Sequence, residues 1–145
     1  MKVKLKLTVA AALGCAVMIA STLALGAQSK SIWDGVYSAE QAKRGQAAYD
    51  DNCSTCHLAD MSGGGDGIAP SLTGADFMKA WDGKTMADLF EKAEMMPPGM
   101  EASVTAEQRA DILAYVLSYN KVPAGQAALA HEAAPLKMIA FKAAK

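Results

Sequence analysis

The run Cys53-Ser54-Thr55-Cys56-His57 constrains this chain more than any other feature of its sequence. Two thiols three residues apart on one helical turn can each form a thioether to one vinyl group of the same porphyrin. The next residue then lies against the porphyrin face, where an imidazole can ligate iron. The Cys-x-x-Cys-His pattern therefore predicts covalent attachment of a c-type haem.

Three other uses of paired cysteines compete with this interpretation. A thioredoxin-like redox motif would lie near a βαβ pattern, and the sequence shows no such alternation. A zinc site takes four ligands, and outside this run the chain offers only Cys15 and His131 as further cysteine or histidine. A structural disulfide is the third alternative, although it would not require the adjacent His57.

Residues 1–27 have the anatomy of a secretory signal peptide. A basic start, an apolar stretch and a small-residue exit follow one another there: Lys2, Lys4 and Lys6, then residues 7–25, then Ala24-Leu25-Gly26-Ala27. We therefore expect export, cleavage near Gln28 and a periplasmic mature protein. One alternative is a retained membrane anchor, because the apolar stretch approaches the roughly 20 residues that span a bilayer. Lipidation at Cys15 is another.

The charge of the mature chain excludes a typical nucleic-acid binder. The whole chain has 14 basic and 15 acidic side chains; without the three lysines of the leader, 11 and 15 remain, a net charge of −4. Such a balance does not suit a phosphate backbone. Cys53 and Cys56 are the only cysteines after residue 27, so haem attachment would leave no disulfide framework. The length suits a single domain.

Composition and capping signals predict an all-α domain. Four helices have recognisable starts: residues 39–50 after Ser38, residues 75–81, residues 86–93 after Thr85, and residues 106–118 after Thr105. Ser38 and Thr85 are predicted to open capping boxes, with Gln41 and Asp88 as the respective partners, and Thr105-Ala106-Glu107-Gln108 is predicted to open the last of these helices. Residues 63–67 form a glycine-rich loop, and residues 122–145 are predicted to be a tail packed on the domain.

A c-type haem also needs a sixth iron ligand, for which Met and His are the candidates. The chain has nine methionines, so position is better evidence than presence. The segment Met95-Met96-Pro97-Pro98-Gly99-Met100 lies between two predicted helices, and its prolines fix φ and remove backbone donors. Such a stiff loop can hold a thioether against iron. A simple interhelical turn is one alternative, and His131 as the ligand is another.

Several segments stand in a fixed order around these motifs: Gly45-x-x-x-Tyr49-x-x-x-Cys53-x-x-Cys56-His57, Ala69-Pro70-Ser71-Leu72, Met96-Pro97-Pro98-Gly99 and Asp111-Ile112-Leu113-Ala114-Tyr115. In this order they resemble a class I monohaem cytochrome c over essentially the whole mature chain. Residues 33–37, 77–90 and 120–125 carry a narrower likeness to bacterial c-type cytochromes that resemble the haem domain of quinohaemoprotein alcohol dehydrogenases.

The resemblance implies an all-α class I cytochrome c fold over residues 28–121, with the N- and C-terminal helices crossing around one covalently bound haem c. His57 and Met96 would be the axial iron ligands, although the methionine doublet departs from the usual pattern and leaves Met95 as an alternative. The carbonyl of Pro70 would accept a hydrogen bond from the proximal imidazole.

Four further positions follow from the same resemblance. Gly45, Tyr49 and Tyr115 fit the positions at which the family packs its N-terminal helix across its C-terminal one. Trp81 would donate its indole N–H to a haem propionate, with ordinary core packing as the alternative.

The function implied by the resemblance is electron transfer without catalysis by the chain itself. Electrons would come from a periplasmic dehydrogenase, with quinoproteins as one candidate class, and pass to a terminal oxidase or another cytochrome. We expect a monomer or a weak complex, and membrane contact only if the leader is retained. The alternatives are a haem-based sensor or peroxidase-like enzyme with an open distal site, and an obligate cytochrome subunit of a dehydrogenase complex.

Overall fold

Six α-helices make up most of the structure, a computed structural model that describes residues 30–64 and 69–144. They are α1 (Ala39–Asn52), α2 (Ser54–His57), α3 (Gly74–Trp81), α4 (Met86–Glu94), α5 (Ala106–Tyr119) and α6 (Ala133–Lys137). Strands β1 (Lys30–Ser31) and β2 (Ile139–Ala140) pair in parallel, and 3₁₀ turns cover Ile32–Asp34 and Glu101–Ser103. The all-α prediction is confirmed. The predicted signal peptide lies outside the described residues, and no helix within them is long and apolar enough to cross a membrane.

Side-chain caps begin α4 and α5 where the sequence predicts them. The Thr85 hydroxyl accepts a hydrogen bond from the Asp88 N–H, and the Asp88 carboxylate accepts one from the Thr85 N–H. Thr105 and Gln108 make the same reciprocal pair at the start of α5. Both pairs satisfy backbone donors that the first turn of a helix leaves without partners.

The capping box predicted at Ser38 is incomplete. Ser38 does cap α1, because its hydroxyl accepts a hydrogen bond from the Gln41 N–H at 3.2 Å. The reciprocal bond is missing, and the prediction of a full box there is wrong. The Gln41 side chain is buried and bonds both backbone groups of Leu129 instead, donating to its carbonyl at 3.0 Å and accepting from its N–H at 2.6 Å. A buried amide needs such partners, and the late segment supplies them.

Helices α1 and α5 cross at a glycine. A Cβ atom on Gly45 would lie 1.8 Å from the Asp111 carbonyl oxygen, so the two backbones touch at this point. Beside the crossing, the Arg44 guanidinium donates two hydrogen bonds, of 2.8 and 3.0 Å, to the Asp111 carboxylate. The Tyr49 and Tyr115 rings meet edge to face with centroids 5.6 Å apart. The crossing fixes the end of α1, from which the cysteine run continues.

The segment after residue 121 contributes side chains to the core. Its buried apolar residues are Val122, Leu129, Leu136, Ile139 and Phe141. Its backbone also bonds to the start of the described chain, through β2 on β1 and through the Tyr37 hydroxyl, which donates to the Val122 carbonyl at 2.5 Å. Weak periodicity predicted only a surface-packed tail there, because contacts between residues so distant in sequence leave no local pattern.

Candidate functional site

One helical turn presents the two thiols and the imidazole. Cys53 ends α1, where its N–H donates to the Tyr49 carbonyl at 2.8 Å. The Cys53 carbonyl in turn accepts from the N–H groups of Cys56 at 3.2 Å and His57 at 2.9 Å. Helix α2 is therefore a single turn attached directly to α1, as the cysteine spacing predicts. Because α1 is clamped on α5, the position of this turn is fixed.

Both sulfur atoms are free thiols in this turn. Cys53 is half-buried and Cys56 is exposed, and no disulfide joins them. Burial raises the pKa of the Cys53 thiol to about 11, and the neighbouring Cys56 adds a smaller effect in the same direction. Cys53 therefore keeps its proton at neutral pH. A thioether forms when a thiol adds its sulfur and its hydrogen across a vinyl double bond, so a pair of free thiols suits that attachment.

A zinc site has no ligand set in this part of the molecule. Within residues 30–64 and 69–144, no group of three or more His, Cys, Asp or Glu side chains is arranged to hold a metal ion. A structural zinc ion takes four such ligands.

The imidazole of His57 is oriented by a backbone carbonyl. Its Nδ1 lies 2.8 Å from the Pro70 oxygen. A carbonyl can only accept, so this contact requires the tautomer with the proton on Nδ1. Nε2 then keeps its lone pair, which is the arrangement found in metal-binding histidines. The structure thus brings His57 and Pro70 together across the intervening loop.

A glycine lets the chain return to His57. Gly63 has φ +82°, and a Cβ atom there would lie 2.6 Å from the Ala69 oxygen. The turn is tied by two backbone bonds, from the Gly63 N–H to the His57 carbonyl at 3.0 Å and from the Gly64 N–H to the Ala69 carbonyl at 3.1 Å. Both the left-handed backbone and the close approach need a residue without a side chain. The sequence predicts a glycine-rich loop here but does not single out Gly63, and residues 65–68 of that loop lie outside the described residues.

Met61 anchors the same return segment from inside the core. It is fully buried, and its carbonyl accepts from the Leu72 N–H at 2.9 Å and from the Ser71 hydroxyl at 3.0 Å. These bonds hold residues 71–72 against the loop, next to Pro70. No sequence pattern predicts this role, since Met61 stands in no periodic pattern.

The methionine loop follows α4 directly. The Met96 N–H donates to the Ala93 carbonyl at 3.1 Å, and the Met100 N–H donates to the Pro97 carbonyl at 2.9 Å. Exposure separates the three methionines of the loop: Met95 is 50% and Met100 61% exposed, whereas Met96 is half-buried. Of the three, Met96 is the side chain turned furthest from solvent.

The two remaining candidate residues, Trp81 and His131, each lie close to charged side chains. Trp81, at the end of α3, is half-buried against the core, and the Lys84 ammonium lies 4.5 Å from the centroid of its ring. This position is compatible with both interpretations of the residue. His131 lies in the segment after residue 121, with its Nε2 3.2 Å from a carboxylate oxygen of Glu132 and 3.8 Å from one of Glu107.

These residues fit a covalently bound haem. One turn carries two free thiols and an imidazole whose Nδ1 is already engaged, and a half-buried thioether follows in a proline-bearing loop. Thiol, imidazole and thioether are the groups that hold a c-type haem.

A family model matches this chain. The model of a family described as "Cytochrome C oxidase, cbb3-type, subunit III" matches residues 40–116, more than half of the chain. The matched region runs from α1 to α5 and includes the cysteine run and the methionine loop. No curated protein and no solved structure matches.

Proposed function

Because the chain belongs to the c-type cytochrome family whose model is described as cytochrome c oxidase, cbb3-type, subunit III, we propose that it is a periplasmic carrier of single electrons, with His57 and Met96 as the iron ligands. Family membership makes it a c-type cytochrome with a covalently bound haem c and a role in haem-based electron transfer. It also implies redox partners in general. The location, the ligand pair and the particular partners are the content of the proposal.

The observation that carries the proposal is the 2.8 Å contact between His57 Nδ1 and the Pro70 oxygen, beside two free thiols. A bound haem supplies the one-electron chemistry. Cys53 and Cys56 tether it, and His57 presents Nε2 as the proximal ligand. The Pro70 carbonyl fixes the ring orientation and raises the basicity of the imidazole.

Burial and backbone stiffness support Met96 as the distal ligand. Its side chain is half-buried while Met95 and Met100 are at least half exposed, and two prolines follow it directly. A thioether at this position raises the potential relative to a second histidine. It also occupies the coordination position that a sensor or a peroxidase-like enzyme would keep open, which favours a carrier over those alternatives.

The electron donor and the periplasmic location are proposed from the sequence. The likeness of residues 33–37, 77–90 and 120–125 to the haem domain of quinohaemoprotein alcohol dehydrogenases supports a periplasmic dehydrogenase, such as a quinoprotein, as the electron donor. A terminal oxidase or another cytochrome would then accept the electron. Residues 1–27 would direct export. The mature protein from periplasmic fractions should begin near Gln28; recovery only in washed membranes, with the leader intact, would favour an anchored form.

Haem attachment through the two cysteines is tested by mass. Protein from cells competent in haem attachment should carry the mass of one haem, and the haem should survive denaturing electrophoresis. The double variant Cys53→Ala/Cys56→Ala should lose the haem under the same denaturing conditions. An unmodified mass for the wild type would contradict the attachment.

The distal ligand is tested by absorbance. A Met–Fe(III) bond gives a weak absorbance band at long wavelength. Met96→Ala should abolish this band, lower the potential and let the reduced protein bind carbon monoxide rapidly. Met95→Ala and Met100→Ala are the matched controls and should keep the band. If Met95→Ala alone removes it, the ligand is one residue earlier. If the wild type has no band and binds carbon monoxide, the open-site alternative replaces the carrier.

A further inference from the structure

Arg109 is a buried arginine on the apolar face of α5. It lies three, four and seven residues before Ile112, Leu113 and Val116, so all four residues share one face of the helix. Only 7% of the residue is exposed. A guanidinium in such surroundings must find hydrogen-bond acceptors, because an unpaired buried charge is costly.

Both acceptors are backbone carbonyls that flank the methionine loop. Arg109 Nε donates to the Ala93 carbonyl at 3.0 Å, and its Nη2 donates to the Glu101 carbonyl at 3.2 Å. Ala93 stands near the end of α4, before the loop, and Glu101 follows its last methionine. One side chain of α5 therefore bonds the backbone at both ends of the methionine loop, residues 95–100.

The Ala93 carbonyl joins this clamp to Met96 itself. The same oxygen accepts the Met96 N–H at 3.1 Å and Arg109 Nε at 3.0 Å. At the far end, the Glu101 carboxylate accepts the Gly99 N–H at 2.8 Å while its carbonyl is held by Arg109. The path from the guanidinium to the Met96 backbone thus runs through one shared oxygen.

We propose that Arg109 is a positioning residue that keeps the Met96 thioether on the haem iron and so determines how readily another ligand displaces it. The inference rests on the proposed function, in which Met96 is the distal ligand. When the clamp is intact, the loop has one arrangement relative to α5. When it is lost, the loop can move away from α5, and the population with Met96 detached rises.

Lysine cannot reproduce this clamp. A guanidinium presents several donors in a fixed planar fork, so it can reach two carbonyls at once, whereas an ammonium is a single point on a flexible stem. Arg109→Lys therefore retains the charge and much of the stem but gives up at least one of the two bonds. It is the conservative variant with which to test positioning.

The experiment uses the full-length holoprotein and two readouts, the Met–Fe(III) band and imidazole binding to the oxidised form. Arg109→Lys should bind imidazole at an about tenfold lower concentration than the wild type, because the loss of one charge-assisted hydrogen bond changes an equilibrium by about that factor. Its Met–Fe(III) band should also be weaker. Arg44→Lys is the matched control, since the other arginine grips Asp111 and bonds no residue of the loop; it should bind imidazole like the wild type.

A second control separates positioning from general loss of stability. Ile112→Val creates a small cavity on the same face of α5. The loss of stability of this variant and of Arg109→Lys is measured by denaturant unfolding, and their imidazole affinities are compared at equal loss. If that variant binds imidazole as tightly as Arg109→Lys, or if Arg109→Lys binds it like the wild type, the role given to Arg109 is wrong while Met96 remains the ligand. Arg109→Gln replaces the lysine variant if the latter does not accumulate, and the absence of holoprotein for both would show a role in folding and not in positioning. A wild type without the Met–Fe(III) band would overturn the proposed function first.

Discussion

Single residues decide how this site is held together. The tautomer of His57 follows from one carbonyl, that of Pro70 at 2.8 Å. That carbonyl reaches the ring because the chain turns back at Gly63, where the backbone is left-handed and passes within van der Waals distance of residues 69–71. A residue that carries no functional group thus decides where a functional group lies.

The Gly63→Ala variant tests this at the residue scale. It should lower the free energy of unfolding by about 3 kcal/mol, since left-handed strain and a forced contact with the Ala69 oxygen add up. Gly83→Ala is the control, because Gly83 has a similar φ of +78° but no atom within 4 Å of its would-be Cβ. That variant should lose only about 1 kcal/mol. Equal losses in denaturant unfolding would show that the contact at Gly63 is unimportant.

At the scale of the helices, the crossing of α1 and α5 orients the haem-binding turn. Glycine is required at position 45 even though it is an unfavourable residue inside a helix. Glycine inside a helix is destabilising by roughly 0.5–1 kcal/mol relative to alanine, so alanine would ordinarily be the better residue. At this position the Asp111 carbonyl occupies the space that a methyl group would need.

Gly45→Ala should therefore reverse the usual sign and destabilise the holoprotein by about 3 kcal/mol, because the two helices must separate. Gln46→Ala, at the next and exposed position of α1, should change stability by less than about 0.5 kcal/mol. Thermal or denaturant unfolding measures both. A Gly45→Ala protein as stable as the wild type would mean that α1 and α5 can shift apart without cost.

The cap of α4 predicts a dependence of stability on pH. Hydrogen bonds from the Thr85 N–H and hydroxyl lower the pKa of Asp88 below its ordinary value of 3.8. A carboxyl with a lowered folded-state pKa stabilises the protein above 3.8, and this contribution is lost as the pH falls through the folded value. The difference in stability between the wild type and Asp88→Asn should be largest at neutral pH and shrink below pH 3.8. A difference that stays constant with pH would contradict the assignment.

Local signals predict the starts of α1, α4 and α5 but not helix α6 in the segment after residue 121. The observed starts of α1, α4 and α5 follow Ser38, Thr85 and Thr105, as expected, because capping depends only on neighbouring residues. The cysteine spacing likewise predicts the haem-binding turn. The capping-box role predicted for Gln41 is wrong because its side chain bonds Leu129, which is distant in sequence.

The contacts that hold the site were harder to foresee. The Gly63 turn and the β1–β2 pairing both depend on long-range contacts, which leave no local period in the sequence. Arg109 is different, because a signal was present. It occupies a position of the apolar stripe of α5, where a charged residue implies buried acceptors on a neighbouring segment.

At the scale of the whole molecule, the first and last described segments close the core together. Phe141 is fully buried, meets the ring of Phe77 edge to face at 6.1 Å, and exchanges backbone bonds with the turn after α3, where its N–H donates to the Lys84 carbonyl at 2.8 Å and its carbonyl accepts the Gly83 N–H at 3.0 Å. The last segment is thus attached to the turn next to Trp81.

Phe141→Ala should cost about 3–5 kcal/mol of unfolding free energy, the range for removing a buried phenylalanine ring. Met138→Ala, an exposed position three residues earlier, should cost less than about 0.5 kcal/mol. Denaturant titration of the holoproteins gives both values. Similar small losses for the two variants would mean that the segment after residue 121 is dispensable for folding.

The parallel pairing of β1 with β2 also sets an order of events for a chain made from its N-terminus. Lys30 and Ser31 can pair only after Ile139 and Ala140 have been synthesised, much later along the chain. The thiols of Cys53 and Cys56 are complete long before the residues that close the core exist. During synthesis there is therefore an interval in which the cysteine turn is present while the pairing of β1 with β2 has not yet formed.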